Sequence, residues 1–160
     1  MPTDDLKTLL RKGLEPVQRR HTDRFREVLG MLRDTASVVE EFLRRGTSAD
    51  VSVEVVQGQR ADDGLEHRVV VRAPSHGVSD YLLRAYVPLS GYPVVIDSVE
   101  EDDVAYRDAK ALQGALVELV KKPWFQERLL GLREILRDPA LHQVGGVVAT
   151  VSRAAKKKGG

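Results

Sequence analysis

The sequence contains no cysteine among its 160 residues. The chain therefore cannot form a disulfide, a thiolate metal site or a cysteine-based thioester. Aromatic residues are scarce as well, at 5% of the composition, and the formal net charge is only +1. A chain this close to neutrality has no overall field that draws it towards nucleic acid or an anionic membrane.

Long apolar runs are also missing. No run approaches the roughly 20 residues that an α-helix needs to span a bilayer. The first residues, MPTDDLKTLLRKG, are charged from Asp4 onward and lack the apolar centre of a signal peptide. We therefore expect a cytoplasmic protein that has no membrane partner.

Familiar patterns of catalysis and cofactor binding are absent too. None of the four histidines pairs with another at the spacing of metal ligands. The glycine pair at 145–146 lacks the Lys-Ser/Thr that follows in a phosphate-binding loop. We therefore expect no metal, no cofactor and no catalytic residues, and a protein that is not an enzyme.

A short amphipathic stretch opens the chain. Its apolar face is formed by Leu6, Leu9 and Leu10. Gly13 disfavours a helix interior and Pro16 suits the first turn of a new helix, so both are expected to interrupt the stretch. This pattern predicts a separate helical appendage over residues 1–15.

A longer helix is predicted from about 16 to 45. Its apolar residues recur at three- and four-residue steps, which is the periodicity of one helix face. They are Phe25, Val28, Leu29, Leu32, Ala36, Val39 and Leu43. Gly46 follows two arginines and suits the end of the helix.

The period then changes from helical to alternating. Alternation of apolar and polar residues is typical of a strand with one buried face. It occurs in runs centred on 51–55, 69–71 and 81–87, and a short apolar run at 94–96 completes the set. Short polar turns separate the runs, which predicts four strands in an antiparallel meander.

Helical periodicity returns in the last third of the chain. The acidic run at 99–103 suits a helix start, where carboxylates cap free N–H groups. Helices are predicted at about 103–121 and 123–137. The remainder, 139–160, is predicted to be a partly disordered tail.

These elements predict an α+β fold in which N-terminal helices and two C-terminal helices flank a four-stranded antiparallel meander and pack on it. The domain is expected to cover residues 16–138. A helix over 16–45 is about 45 Å long, which exceeds the width of so small a sheet. Part of its apolar stripe is therefore expected to overhang and to need a partner.

The segment YLLRAYVPLSGYPVVID at 81–97 resembles the join between the third and fourth strands in ubiquitin-conjugating-enzyme-like folds, which include RWD domains. The specific part of the resemblance is Pro88, Tyr92 and Pro93. The order of helix, four strands and helices over about residues 20–138 is similar as well.

Two departures from that family limit what the resemblance implies. Val94 and Val95 stand where further prolines normally follow the Tyr-Pro pair, and the active-site cysteine has no counterpart. The resemblance therefore implies the non-catalytic branch, whose members bind other proteins and hold assemblies together.

The first functional hypothesis is a non-catalytic protein-interaction module, such as an adaptor, scaffold or chaperone-like subunit, that forms a homo- or hetero-oligomer. It follows from the missing catalytic motifs and the overlong amphipathic helix. The predicted contact residues are Phe25, Leu29, Leu32, Trp124 and Phe125.

The alternative hypothesis is a nucleic-acid-associated accessory protein, since clustered cations bind phosphates. The candidate contacts are Arg19, Arg20, Arg24, Arg26, Lys156, Lys157 and Lys158. This alternative is less favoured, because Asp23 and Glu27 interrupt the arginines. A third hypothesis, an enzyme with a dispersed site, would involve His67, His76 and Arg84.

Overall fold

The periodicities of the sequence become one long helix, a sheet and a helical pair in the computed structural model, which describes residues 2–47, 50–61, 63–98 and 104–138. The helices are α1 (Pro2–Arg44), α2 (Ala109–Lys121) and α3 (Pro123–Arg137), and the strands are β1 (Ser52–Ala61), β2 (Gly64–Ala73), β3 (Val78–Pro88), β4 (Val94–Ser98) and β5 (Val104–Tyr106). A 3₁₀ turn, Pro74–His76, links β2 to β3. The predicted tail at 139–160 and the acidic run at 99–103 lie outside the described residues.

The sheet is an antiparallel meander whose strand order is β1-β2-β3-β4-β5. The predicted α+β class is confirmed, with five strands in place of four. The fifth strand has only three residues, too few to show an alternating pattern. Its presence moves the start of α2 from the predicted residue 103 to Ala109, where the Asp108 carboxylate accepts a hydrogen bond of 2.8 Å from the Ala111 N–H.

The apolar face of the sheet forms the centre of the core. Val55, Val69 and Leu83 lie opposite one another on β1, β2 and β3. A bulge in β3 at the Val69/Val70 register shift buries both Leu82 and Leu83, although they are consecutive. Strand β1 continues to Ala61 and β2 begins at Gly64, so the connection between them is short.

The C-terminal half of α1 covers this face and also protects the edge of the sheet. Buried residues of α1 recur along it: Val28, Leu32, Ala36, Val39 and Leu43. Glu40 accepts a hydrogen bond of 3.0 Å from the Val53 N–H, and Arg44 donates one of 3.1 Å to the Val51 carbonyl. These side chains occupy backbone groups of the edge strand β1 that another chain would otherwise pair with.

Helices α2 and α3 complete the core from the other end of the chain. Arg128 on α3 forms a buried ion pair with Asp80 of β3, at 2.6 Å, and donates to the Tyr81 carbonyl at 2.8 Å. Near the end of α1, Thr47 donates through its hydroxyl to the Leu136 carbonyl at 2.9 Å. These contacts fasten α3 to both the sheet and α1.

The predicted interruption of the first helix at Gly13 and Pro16 is wrong. The helix α1 runs without a break for 43 residues, and Pro16 lies inside it. A proline in a helix interior removes one backbone hydrogen bond and costs about 3 kcal/mol. The helix continues because the docked C-terminal half supplies a nucleus from which the preceding turns extend.

The loop between β3 and β4 sets the direction in which α1 leaves the sheet. Gly91 has a φ of 95°, a conformation that favours glycine, and the Tyr92–Pro93 peptide bond is cis. A Cβ atom at Gly91 would lie 2.5 Å from the Cβ and 2.9 Å from the carbonyl carbon of Arg24. The loop therefore packs directly on the backbone of α1.

We predict that G91A destabilises the protein by about 3 kcal/mol or more, because it adds a clash with the helix to an unfavourable φ. The control is G77A. Gly77 also has a positive φ, of 64°, but a Cβ there would meet nothing within 4 Å, so G77A should cost only about 1 kcal/mol. Urea unfolding midpoints measure both, and equal losses would show that the loop does not press on α1.

Candidate protein-interaction surface

The N-terminal half of α1 extends beyond the sheet. We call residues 3–22 the overhang. Each of its residues is exposed except Val17 and His21, which are partly exposed. At 1.5 Å per residue the overhang is about 30 Å long. No described element covers it.

Four leucines of the overhang are exposed to an unusual degree. The exposed fractions are 66% for Leu6, 67% for Leu9, 63% for Leu10 and 52% for Leu14. Single exposed apolar residues are common on soluble proteins, but several on one face of one helix mark an interaction site. We call the set Leu6, Leu9, Leu10 and Leu14 the leucine stripe.

The leucine stripe continues the buried face of α1 in phase. Steps of four, four and three residues recur along the whole helix, so equivalent positions are 11 residues apart. One such series is Leu6, Val17, Val28 and Val39, and another is Leu10, His21, Leu32 and Leu43. The 11-residue period matches 3.67 residues per turn and keeps one face aligned over the entire length.

This periodicity is the signal that sequence reasoning missed. A helix break at Pro16 divides one continuous apolar pattern into two parts, and neither part includes Leu14. The C-terminal part of this continuous apolar face is buried by the sheet, whereas its N-terminal part is exposed to solvent. The surface available to a partner is therefore the leucine stripe.

The overhang has little support from its own chain. An isolated helix of about 20 residues is marginal in water, and most helical stability in proteins comes from packing of an apolar face. Gly13 and Pro16 weaken it further. Burial of the leucine stripe by another molecule would provide the missing packing.

A junction of four side chains holds α1 where the overhang begins. The Tyr92 hydroxyl donates to the Glu27 carboxylate at 2.9 Å. The Phe25 ring packs edge-on against His67, with centroids 5.8 Å apart. Burial, and then the neighbouring Glu27 carboxylate, raise the pKa of Tyr92 above its ordinary value, so it remains a neutral donor.

His67 is a buried polar side chain in the core at this junction. Its Nδ1 donates to the Leu65 carbonyl at 3.1 Å. Burial lowers the pKa of His67 below its ordinary value of 6.5, and the Arg33 charge lowers it further, against an opposing effect of the Leu65 carbonyl. The imidazole is therefore neutral where it packs on Phe25.

The predicted contact residues divide into two groups. Leu32 and Phe125 are fully buried in the core, so a partner cannot reach them in this fold. The physical reason is that the faces of α1 and α3 on which they lie pack into one core with the sheet. Phe25, Leu29 and Trp124 are partly buried against the same core, and their contact with a partner stays a prediction.

The predicted nucleic-acid contacts are not gathered into one basic face. Arg19 and Arg26 line an open groove of about 400 Å³ together with the carboxylates of Glu15 and Asp23. Arg24 lies instead beside Gly91. The lysines at 156–158 lie outside the described residues.

The residues of the dispersed-site hypothesis are separated by the sheet. His67 lies opposite Ala85 in the buried face, whereas Arg84 pairs with Arg68 in the outer face and forms an ion pair with Asp97. His76 lies in the 3₁₀ turn next to Ser75, with which it shares a hydrogen bond of 3.0 Å. Across the described ranges, no three His, Asp or Glu side chains are grouped so that they could hold a metal ion.

The outer face of the sheet is charged but locally balanced. Ion pairs join Arg68 to Glu66, Arg72 to Glu54 and Arg84 to Asp97.

No helix in the described part of the chain is both long enough and apolar enough to cross a bilayer. Among the described residues, the leucine stripe is thus a cluster of four leucines that are each more than half exposed.

We predict that stability falls as the pH drops below 6.5, because the unfolded chain binds a proton at His67 that the folded chain binds only at lower pH. Above the pKa of His67 in the unfolded chain, the free energy of unfolding does not change for this reason. Below that pKa, its loss approaches about 1.4 kcal/mol per pH unit. Unfolding by urea at several pH values should show a smaller slope for H67Q and the wild-type slope for H76Q, and an unchanged slope in H67Q would contradict the assignment.

No protein-family model, curated protein or solved structure matches the chain. The resemblance of residues 81–97 to RWD domains stays a prediction from Pro88, Tyr92 and Pro93. The leucine stripe lies near the N-terminal end of α1, and a function for this chain must account for it.

Proposed function

We propose that this protein is a non-catalytic protein-interaction module, an adaptor, scaffold or chaperone-like subunit of a larger complex, whose binding element is the overhang of α1. The observation that carries the proposal is the leucine stripe, in which four neighbouring leucines are each more than half exposed. In this function the α+β body is a base that presents the helix.

The energetics support association through this surface. Burying one leucine side chain contributes about 1.5–3 kcal/mol, so the leucine stripe supplies several kcal/mol when it is covered. Loss of translational and rotational freedom on binding costs at least about 4 kcal/mol. The leucines can offset that cost, and the flanking residues then decide which partner binds.

The architecture supports a presenting role for the body. The hydrogen bonds of Glu40 and Arg44 to the edge of the sheet and the junction at Tyr92 hold α1 at two separated places on the core. An element order with Tyr-Pro between β3 and β4 is also similar to that of RWD domains, which bind other proteins. A cytoplasmic location remains part of the proposal.

The test uses the full chain as bait in a lysate of its source organism. The variant L6Q/L10Q/L14Q removes three of the four leucines of the leucine stripe while glutamine preserves helix propensity. The control V38Q/V117Q/L130Q removes three exposed apolar residues elsewhere on the helices. We predict that proteins retained by wild type fall about tenfold or more with the first variant and persist with the second.

Both variants should unfold within about 0.5 kcal/mol of wild type, since none of the changed residues belongs to the core. Retention of the same proteins by the wild type and the L6Q/L10Q/L14Q variant would refute the proposed function. So would an equal loss of those proteins in the control.

A further inference from the structure

The side chains that border the leucine stripe are mostly cations. On a helix surface, residues three and four apart are neighbours. Lys7 lies three residues before Leu10, and Arg11 lies three before Leu14. Lys12, on the other flank, lies three residues after Leu9.

The carboxylates of the overhang are mostly placed away from this border. Asp4 and Glu15 have only charged or polar side chains three and four positions away along the described helix, so they point to the other side of α1. Asp5 is the exception, because it lies four residues before Leu9. Three cations against one carboxylate make the rim of the stripe basic.

We propose that the leucine stripe binds an amphipathic helix of another protein whose apolar face is bordered by Asp and Glu. This inference rests on the proposed function and adds the chemistry of the partner. The leucines would pack against apolar side chains of that helix. Lys7, Arg11 and Lys12 would face its carboxylates.

A helix suits this surface better than an extended peptide. The leucine stripe forms a straight ridge of about two to three turns, and helices bind such ridges through their own three- and four-residue grooves. The free edge of β1 that an extended strand would use is partly occupied by Glu40 and Arg44. The occupant is therefore expected to be helical.

The charge pattern argues against a second copy of the chain. In a parallel pair the basic rims of the two overhangs would lie side by side. In an antiparallel pair each flank of the overhang meets the same flank of the second copy, which would place Lys7 and Arg11 beside the second copy's Arg11 and Lys7. Both arrangements bring cations together, which opposes association.

The composition of the overhang argues against an anionic membrane as the occupant. Helices that lie in a membrane interface typically carry Trp or Phe on the apolar side and Lys or Arg across the polar side. Residues 3–22 contain no aromatic Phe, Tyr or Trp, and their polar side includes Asp4 and Glu15. A carboxylate-bearing protein helix matches both features.

The test uses two synthetic helical peptides of about 20 residues with the same leucine positions. One carries Glu and the other Lys at the positions that flank the leucines. Fluorescence anisotropy with the full-length protein measures both affinities at low and high salt. The acidic peptide should bind wild type about tenfold more tightly than the basic one, and added salt should weaken that binding.

Charge reversal of the rim tests the residues themselves. K7E/R11E/K12E should weaken binding of the acidic peptide about tenfold and strengthen binding of the basic one. The control R19E/R26E/K110E makes the same change in net charge at positions that do not neighbour any residue of the leucine stripe. It should change the affinity less than about threefold.

Several results would overturn the inference. These are equal affinity for the two peptides, binding of neither, an unaffected K7E/R11E/K12E variant, or tighter binding to phosphatidylserine vesicles than to the acidic peptide. A dimer in light scattering that L6Q/L10Q/L14Q dissociates would identify a second copy as the occupant. If bait retention depends on the leucines but not on the rim, the proposed function stands and the acidic partner does not.

Discussion

The structure depends on a mismatch in length between α1 and the sheet it covers. The helix has 43 residues and is about 65 Å long, whereas ten-residue strands such as β1 and β2 extend only about 33 Å. A helix with a single apolar face cannot bury all of that face on so short a sheet. Its C-terminal half becomes the main cover of the core, and its N-terminal half projects into solvent with the same face still apolar.

The body of the protein fixes the direction of this projection. Gly91 brings the loop before β4 onto the backbone of α1 at Arg24, and Tyr92 hydrogen-bonds to Glu27 one turn later. The neutral His67 ring lies in the core and packs edge-on against Phe25. These contacts lie next to the overhang, which ends at residue 22, so the same few residues both complete the core and limit the part of α1 that is left exposed.

Fold class followed from sequence patterns because each pattern is local. Alternation of apolar and polar residues predicted the strands that contain Val53, Val71 and Ala85. Apolar residues that recur every three or four positions predicted the helices. The short strand β5 carried too few residues to show a period. The break expected at Pro16 was a different kind of error, since docking of the C-terminal half outweighs the local preference of one proline. The burial of Leu32 and Phe125 could not be predicted for a related reason: it depends on which elements meet in space, and only the phase of the whole helix identifies the uncovered end.

Amide hydrogen exchange on the dilute, isolated chain tests the central claim most directly, because it compares the two halves of one continuous helix. We expect amides in the second half of α1, at Val28 to Leu43, to exchange only through openings close to global unfolding. Amides in the overhang should exchange orders of magnitude faster, since nothing in the described chain packs on it. Equal protection of both halves in the monomeric protein would show that the N-terminal half of α1 does not project unpacked into solvent.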